Sequence, residues 1–134
     1  MKIRLARTND LEMLSLNDKH ISKCELENLI GLNRIYIIEI NGNFIGWLRY
    51  NLFWDNTPFM NMLYISEGNR NRGFGKLLVE HWENEMRVLG YNTVMTSTSS
   101  DEYAQHFYMK LGYKVVGGFT PHCDSFEIIL SKQI

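Results

Sequence analysis

The hydrophobic positions change period several times along the chain. Residues 2 to 6 (KIRLA) alternate and predict a short strand. Thr8, Asn9 and Asp10 offer an N-cap to an early helix over LEMLSL. Ser22 and Glu25 fit a capping box for a second helix closing at Gly31. RIYIIEI (34 to 40) and FIGWLRYNLFW (44 to 54) flank Asn41-Gly42-Asn43, the pattern of two strands joined by a tight hairpin. PFMNMLYI (58 to 65) predicts a further strand after the turn Asp55-Asn56-Thr57-Pro58. The period then becomes helical. Phe74, Leu78, Trp82, Met86 and Leu89 form one stripe, with Glu80, Glu83 and Arg87 on the opposite face and Gly90 as the stop. NTVMTST (92 to 98) reads as a strand. Ser99 and Glu102 form a capping box before Ala104, Phe107, Tyr108 and Leu111, and Gly112 ends that helix. YKVVG and DSFEIIL supply the last two strands. The order β-α-α-β-β-β-α-β-α-β-β describes one α/β domain over residues 1–134 with a sheet of mixed direction.

Composition narrows the classes of function. Fourteen Lys and Arg against fifteen Asp and Glu give a net charge of −1, which does not suit a general nucleic-acid binder. No apolar run approaches the roughly 18 residues of a membrane span. The start, MKIRLARTND, has charges where a secretory signal needs an apolar core, so a cytoplasmic protein is expected. Cys24 and Cys123 form no CxxC pair and read as reduced thiols, and Cys and His do not cluster, so no metal site is expected.

The candidate chemistry lies in ISEGNRNRGFGKLLVEHW (65 to 82). Gly73 and Gly75 stand just before a helix whose first N–H groups lack internal partners and carry the positive end of the macrodipole. Glycine lets that backbone touch an anion, and Arg70, Arg72 and Lys76 add charge nearby, so the turn suits a phosphate or diphosphate. Two familiar cradles fail on spacing. Phe74 and Gly75 stand where a P-loop needs Lys and Ser or Thr, and Leu78 occupies the third glycine of a dinucleotide fingerprint.

Arg70-Asn71-Arg72-Gly73-Phe74-Gly75 resembles the [RQ]-x-x-G-x-[GA] signature of GNAT-type acyltransferases, and it follows the strand LYI as theirs does. Downstream, AQHFYMKLGY (104 to 113) is similar to their second signature, A-x-x-[FL]-Y-x-x-x-G-[FY]. The resemblance extends over essentially the whole chain. It implies a mixed, mostly antiparallel sheet of six to seven strands, four flanking helices and a splayed, V-shaped slot. It further implies acetyl-CoA as co-substrate, with the diphosphate on the N–H groups of residues 71 to 76 and the pantetheine arm along Leu63-Tyr64-Ile65. The Leu63 N–H would polarise the thioester carbonyl, and Tyr108 would be the general acid. Asp101 stands where the family commonly has an asparagine facing the CoA arm. From the residues alone, Tyr108 lies on an apolar stripe and reads as a core tyrosine.

A general base is not evident. The central strand offers only Asn61, and Glu39, Asp55, His122, Asp124 and Glu127 are alternatives, as is a free amine or a water relay. Trp47, Tyr50, Phe53, Trp54, Phe59 and Tyr64 are too many aromatics for one strand face, so some are core and some line the acceptor entrance. With Asp55 beside Trp54, they suggest a small acceptor with an apolar body and a cationic amine. The reading is an N-acetyltransferase working by direct attack on acetyl-CoA. A non-catalytic acyl-CoA-binding module and a protein or peptide N-acetyltransferase are the alternatives. The exposed final strands could pair two copies as a homodimer.

Overall fold

The computed structural model describes residues 1–122 and 124–134; Cys123 lies outside them. The strands are β1 (Lys2–Leu5), β2 (Ile35–Ile40), β3 (Asn43–Phe53), β4 (Thr57–Ile65), β5 (Thr93–Ser99), β6 (Lys114–Phe119) and β7 (Glu127–Gln133). The helices are α1 (Leu11–Asn17), α2 (Lys23–Gly31), α3 (Phe74–Val88) and α4 (Ala104–Lys110). The seven strands form one sheet in the order β1-β2-β3-β4-β5-β7-β6, with β4 and β5 parallel. No helix among the described residues is long and apolar enough to cross a membrane.

The chain divides into two compact units. The first comprises Met1–Asn51 and Met62–Trp82. Its core gathers Leu11, Leu14, Leu26, Leu29, Ile35, Ile37 and Trp47, with Phe44, Met62 and Tyr64 packed against them. Ser22 caps α2 by accepting from the Glu25 N–H at 3.2 Å. The cap expected for α1 is spent elsewhere. Residues Thr8–Asp10 form a 3-10 turn, and the Asp10 carboxylate accepts from the Arg7 N–H (2.7 Å) and the Arg4 guanidinium (2.8 and 2.9 Å).

The second unit comprises Leu52–Asn61 and Glu83–Ile134. Here β5 pairs antiparallel with β7 from Thr93↔Gln133 to Ser99↔Glu127, and β7 pairs with β6. The parallel ladder of β4 on β5 consists of Phe59↔Met95 and Met60↔Thr96. Three sequence expectations shift. Ser99 does not cap α4; its hydroxyl accepts from Asp101 N–H (3.3 Å), and the helix starts at Ala104. The last strand starts at Glu127, not Asp124. Glu83, placed by helical periodicity on the polar face, is 2% exposed, whereas Leu89 is 64% exposed. Glu83 accepts from the Tyr113 hydroxyl (2.8 Å) and from Lys132 Nζ (2.9 Å). A buried carboxylate with two donors is tolerable where an unpaired one is not.

Candidate active site

In the first unit, the turn before α3 is built from backbone. Asn71 and Gly73 take left-handed conformations, with φ of 61° and 87°. A Cβ on Gly73 would meet no atom within 4 Å, so glycine is required there by its φ, not by crowding. The first bond of α3 runs from Leu77 N–H to the Gly73 carbonyl at 3.1 Å. Among the described residues, no N–H from Asn71 to Lys76 has a hydrogen-bond partner. Those donors, at the positive end of a 15-residue helix, are the chemistry an anion needs.

The charged side chains around the turn do different things. Arg72 Nη1 donates to Asn69 Oδ1 at 3.2 Å and its guanidinium lies over the Phe74 ring. Lys76 is exposed. Arg70, expected to add charge, has its Nε engaged by the Ile65 carbonyl at 2.7 Å and its guanidinium over the Tyr64 ring. Leu63 and Tyr64 are half-buried on β4, and Ile65 is buried.

In the second unit, Tyr108 on α4 is 7% exposed and packs edge-on against Phe107 and Tyr113. Burial is the main reason its phenol is pushed up from 10.0 to about 12; a hydrogen bond with the Thr96 hydroxyl pulls the other way, and the Glu102 charge adds to the rise. Thr96, 1% exposed, also donates to the Met60 carbonyl at 2.9 Å. Its single proton can serve either neighbour. The acid expected near 10 is therefore weaker in the free protein. Asp101 is exposed between β5 and α4.

The base candidates are scattered. Glu39 is ion-paired with Arg4, and Glu127 accepts from Ser97 Oγ at 2.7 Å. Asp55, His122 and Asp124 are exposed. The aromatics divide. Trp47 and Tyr50 are core side chains of the first unit, Trp47 giving its indole N–H to Asp18 and Tyr50 packing on Tyr36 and Trp82. Phe53 packs on Trp54 and Phe59 in the second unit, where Trp54 is 80% exposed. Phe53 and Trp54 also border a cavity of about 680 Å³ with Asn56, Thr93, Met95 and Val116.

Sequence reasoning overlooked Asp18, Arg49 and Thr96. Asp18 is buried and bonded to Arg49 Nε at 2.7 Å. Burial works to raise its carboxyl, but the Arg49 hydrogen bond and charge hold it below the usual carboxylate range. A charged residue inside the apolar-flanked WLRYNL run was the available signal for Arg49.

The family model described as Acetyltransferase (GNAT) family matches residues 8–113, and the chain belongs to that family. Its fold is similar to Ard1 from Thermoplasma volcanium, with a TM-score of 0.86 at 15% identity, covering 99% of this chain and 97% of that one. PaiA N-acetyltransferase from Thermoplasma acidophilum in complex with coenzyme A gives 0.83 at 19%, covering 99% and 98%. An aminoglycoside 6′-N-acetyltransferase complexed with coenzyme A gives 0.82 at 20%, covering 99% and 97%. A search of curated proteins found no match.

Proposed function

We propose that the chain is an acetyl-CoA-dependent N-acetyltransferase acting on a small primary amine by direct attack. The observation that carries the reading is the run of unpartnered N–H groups from Asn71 to Lys76 at the front of α3. A diphosphate supplies the acceptors those donors lack. Arg72 and Lys76 add positive charge, and Gly73 and Gly75 keep side chains off the backbone at Phe74. Leu63, Tyr64 and Ile65 offer strand hydrogen bonds to an extended amide arm, with the Leu63 N–H serving the acyl oxygen, in the slot beside β4 that the family resemblance implies. When bound, the co-substrate supplies an activated acetyl thioester.

Tyr108 holds the proton that the departing thiolate takes up. A phenol at about 12 is a weak acid for a thiolate whose thiol titrates near about 8.5. The Thr96 hydroxyl already tempers the effect of burial within that value, by favouring the phenolate form. Asp101, exposed before α4, stands where the family resemblance implies a residue facing the arm, and it would bring a negative charge in place of the usual asparagine. No buried carboxylate is assigned as base, so the acceptor, cationic when it is recognised, loses one proton to water before it attacks and a second to water as the amide forms. An acceptor with an apolar body and a cationic amine suits the aromatic residues Phe53, Trp54 and Phe59.

The test is thiol release from acetyl-CoA with a panel of small amines, polyamines, amino acids and aminoglycosides, beside coenzyme A binding by calorimetry. Turnover with at least one small amine is expected. Coenzyme A binding without turnover on any amine or peptide would make the chain a binding module. Turnover on peptide amino termini alone would assign it to proteins. No binding at all would end the reading.

A further inference from the structure

Arg70 opens the glycine signature, yet its side chain is occupied within the protein. Its Nε donates to the Ile65 carbonyl at 2.7 Å, and the flat guanidinium lies 5.2 Å from the centroid of the Tyr64 ring. These two contacts close the segment from Ile65 to Arg70, which also contains the Asn69 N–H bond to the Ser66 carbonyl and the Asn69 Nδ2 bond to Ser66 Oγ, both 2.8 Å. The donor-bearing turn begins at the next residue.

The platform under Arg70 is itself fixed from behind. Tyr64 lies 4.6 Å from the Trp47 ring, and Trp47, 1% exposed, donates its indole N–H to Asp18 Oδ2 at 3.0 Å. The same carboxylate receives Arg49 Nε and Nη2 and the His20 N–H. A buried ion pair is a poor source of stability, because desolvation consumes most of the attraction, but it fixes orientation. Here the fixed object is the indole on which Tyr64 rests. Each link is a packed or hydrogen-bonded contact in one unit of the fold.

We propose that Arg70 is a positioning residue for the diphosphate turn and not a phosphate ligand, and that the Asp18–Arg49 pair holds it in place through Trp47 and Tyr64. The inference rests on the reading of that turn as a coenzyme A cradle. If it is right, a flat N–H donor without charge should replace Arg70 better than a charge without the flat donor.

Coenzyme A binding by calorimetry, with acetyl-CoA turnover alongside, separates the outcomes. Arg70→Gln should bind within about threefold of the unaltered protein, because its flat amide can still donate to the Ile65 carbonyl and lie on the Tyr64 ring. Arg70→Lys, which keeps the charge but not the flat donor, should lose up to about tenfold, the scale of one hydrogen bond. Trp47→Phe keeps the ring and leaves the ion pair intact, so a loss of about threefold is expected from the missing indole bond alone. Tyr64→Leu, at a half-buried position, should lose about as much as Arg70→Lys, and the two together little more than either. In all of these KM for acetyl-CoA should move and kcat should stay within about twofold. Arg70→Lys binding normally while Arg70→Gln fails would make Arg70 a phosphate ligand and overturn the proposal. Trp47→Phe and Tyr64→Leu both binding normally would overturn it as well. Failure of the unaltered protein to bind coenzyme A would instead strike the cradle itself.

Discussion

The turn before α3 and the Tyr108 position on α4 solve opposite problems. The turn offers main-chain donors, with Gly73 at φ 87° and no partner for the N–H groups that follow. Tyr108 offers one side-chain proton, buried and held by its surroundings. In the proposed function, binding at the turn would depend on backbone conformation, sensitive to φ and indifferent to most side chains. Chemistry at Tyr108 would depend on a single oxygen and its environment. Damage to the first should appear in affinity, and damage to the second in turnover.

The sharpest way to break that division is Gly73→Val. A β-branched residue at this φ costs on the order of 2 to 3 kcal/mol, so the turn abandons the conformation and the donors diverge. Coenzyme A affinity should fall about 100-fold, equivalent to about 2.7 kcal/mol. Calorimetry measures it, with thermal melting as the control for folding. Affinity kept within threefold would show that the turn's conformation is not what binds.

Tyr108→Phe should do the reverse. Loss of one general acid costs about tenfold to 100-fold in kcat, while the dissociation constant for coenzyme A stays unchanged. The pH profile sharpens the point. Because the phenol is pushed up to about 12, it stays protonated through the working range. Its contribution to stability is complete below pH 10 and is lost only as pH climbs from there through 12. The unaltered enzyme should therefore show no alkaline fall in kcat up to pH 10, only a rise at lower pH as the amine loses its proton. A fall in kcat centred near pH 8 would place a different acid at the sulfur.

How much of this was legible follows the same line. The hairpin at Asn41-Gly42, the Ser22 cap and the glycine turn are local devices written in neighbouring residues, and each is where the pattern put it. The family signatures lie in such segments too. Glu83 was misjudged because its partners Tyr113 and Lys132 stand 30 and 49 residues away; helical periodicity cannot see a distant donor. Asp18 and Arg49 meet across 31 residues and escaped for the same reason. Tyr108 could be found by its signature, but its acidity is set first by burial and then by Thr96 on another element, which no local window reveals.

The smallest effect concerns two turns of similar backbone and unlike residues. Asn41 and Gly42 have φ of 52° and 78°, and Trp54 and Asp55 have φ of 54° and 63°. The first pair is the expected one for a hairpin with left-handed central residues; the second places a bulky indole in that conformation. Exchanging Trp54-Asp55 for Asn-Gly should relieve about 1 to 2 kcal/mol of backbone strain. It also removes the stack of Trp54 on Phe53, 5.0 Å between centroids, worth about 0.5 to 1.5 kcal/mol. A net gain of about 0.5 kcal/mol is expected, a rise in Tm of about 1 to 3 °C. A fall in Tm would mean that the stack outweighs the strain and that the turn is there for packing. A gain in Tm accompanied by a raised KM for the amine, with coenzyme A affinity unchanged, would show why the strain is kept: the exposed indole meets the acceptor.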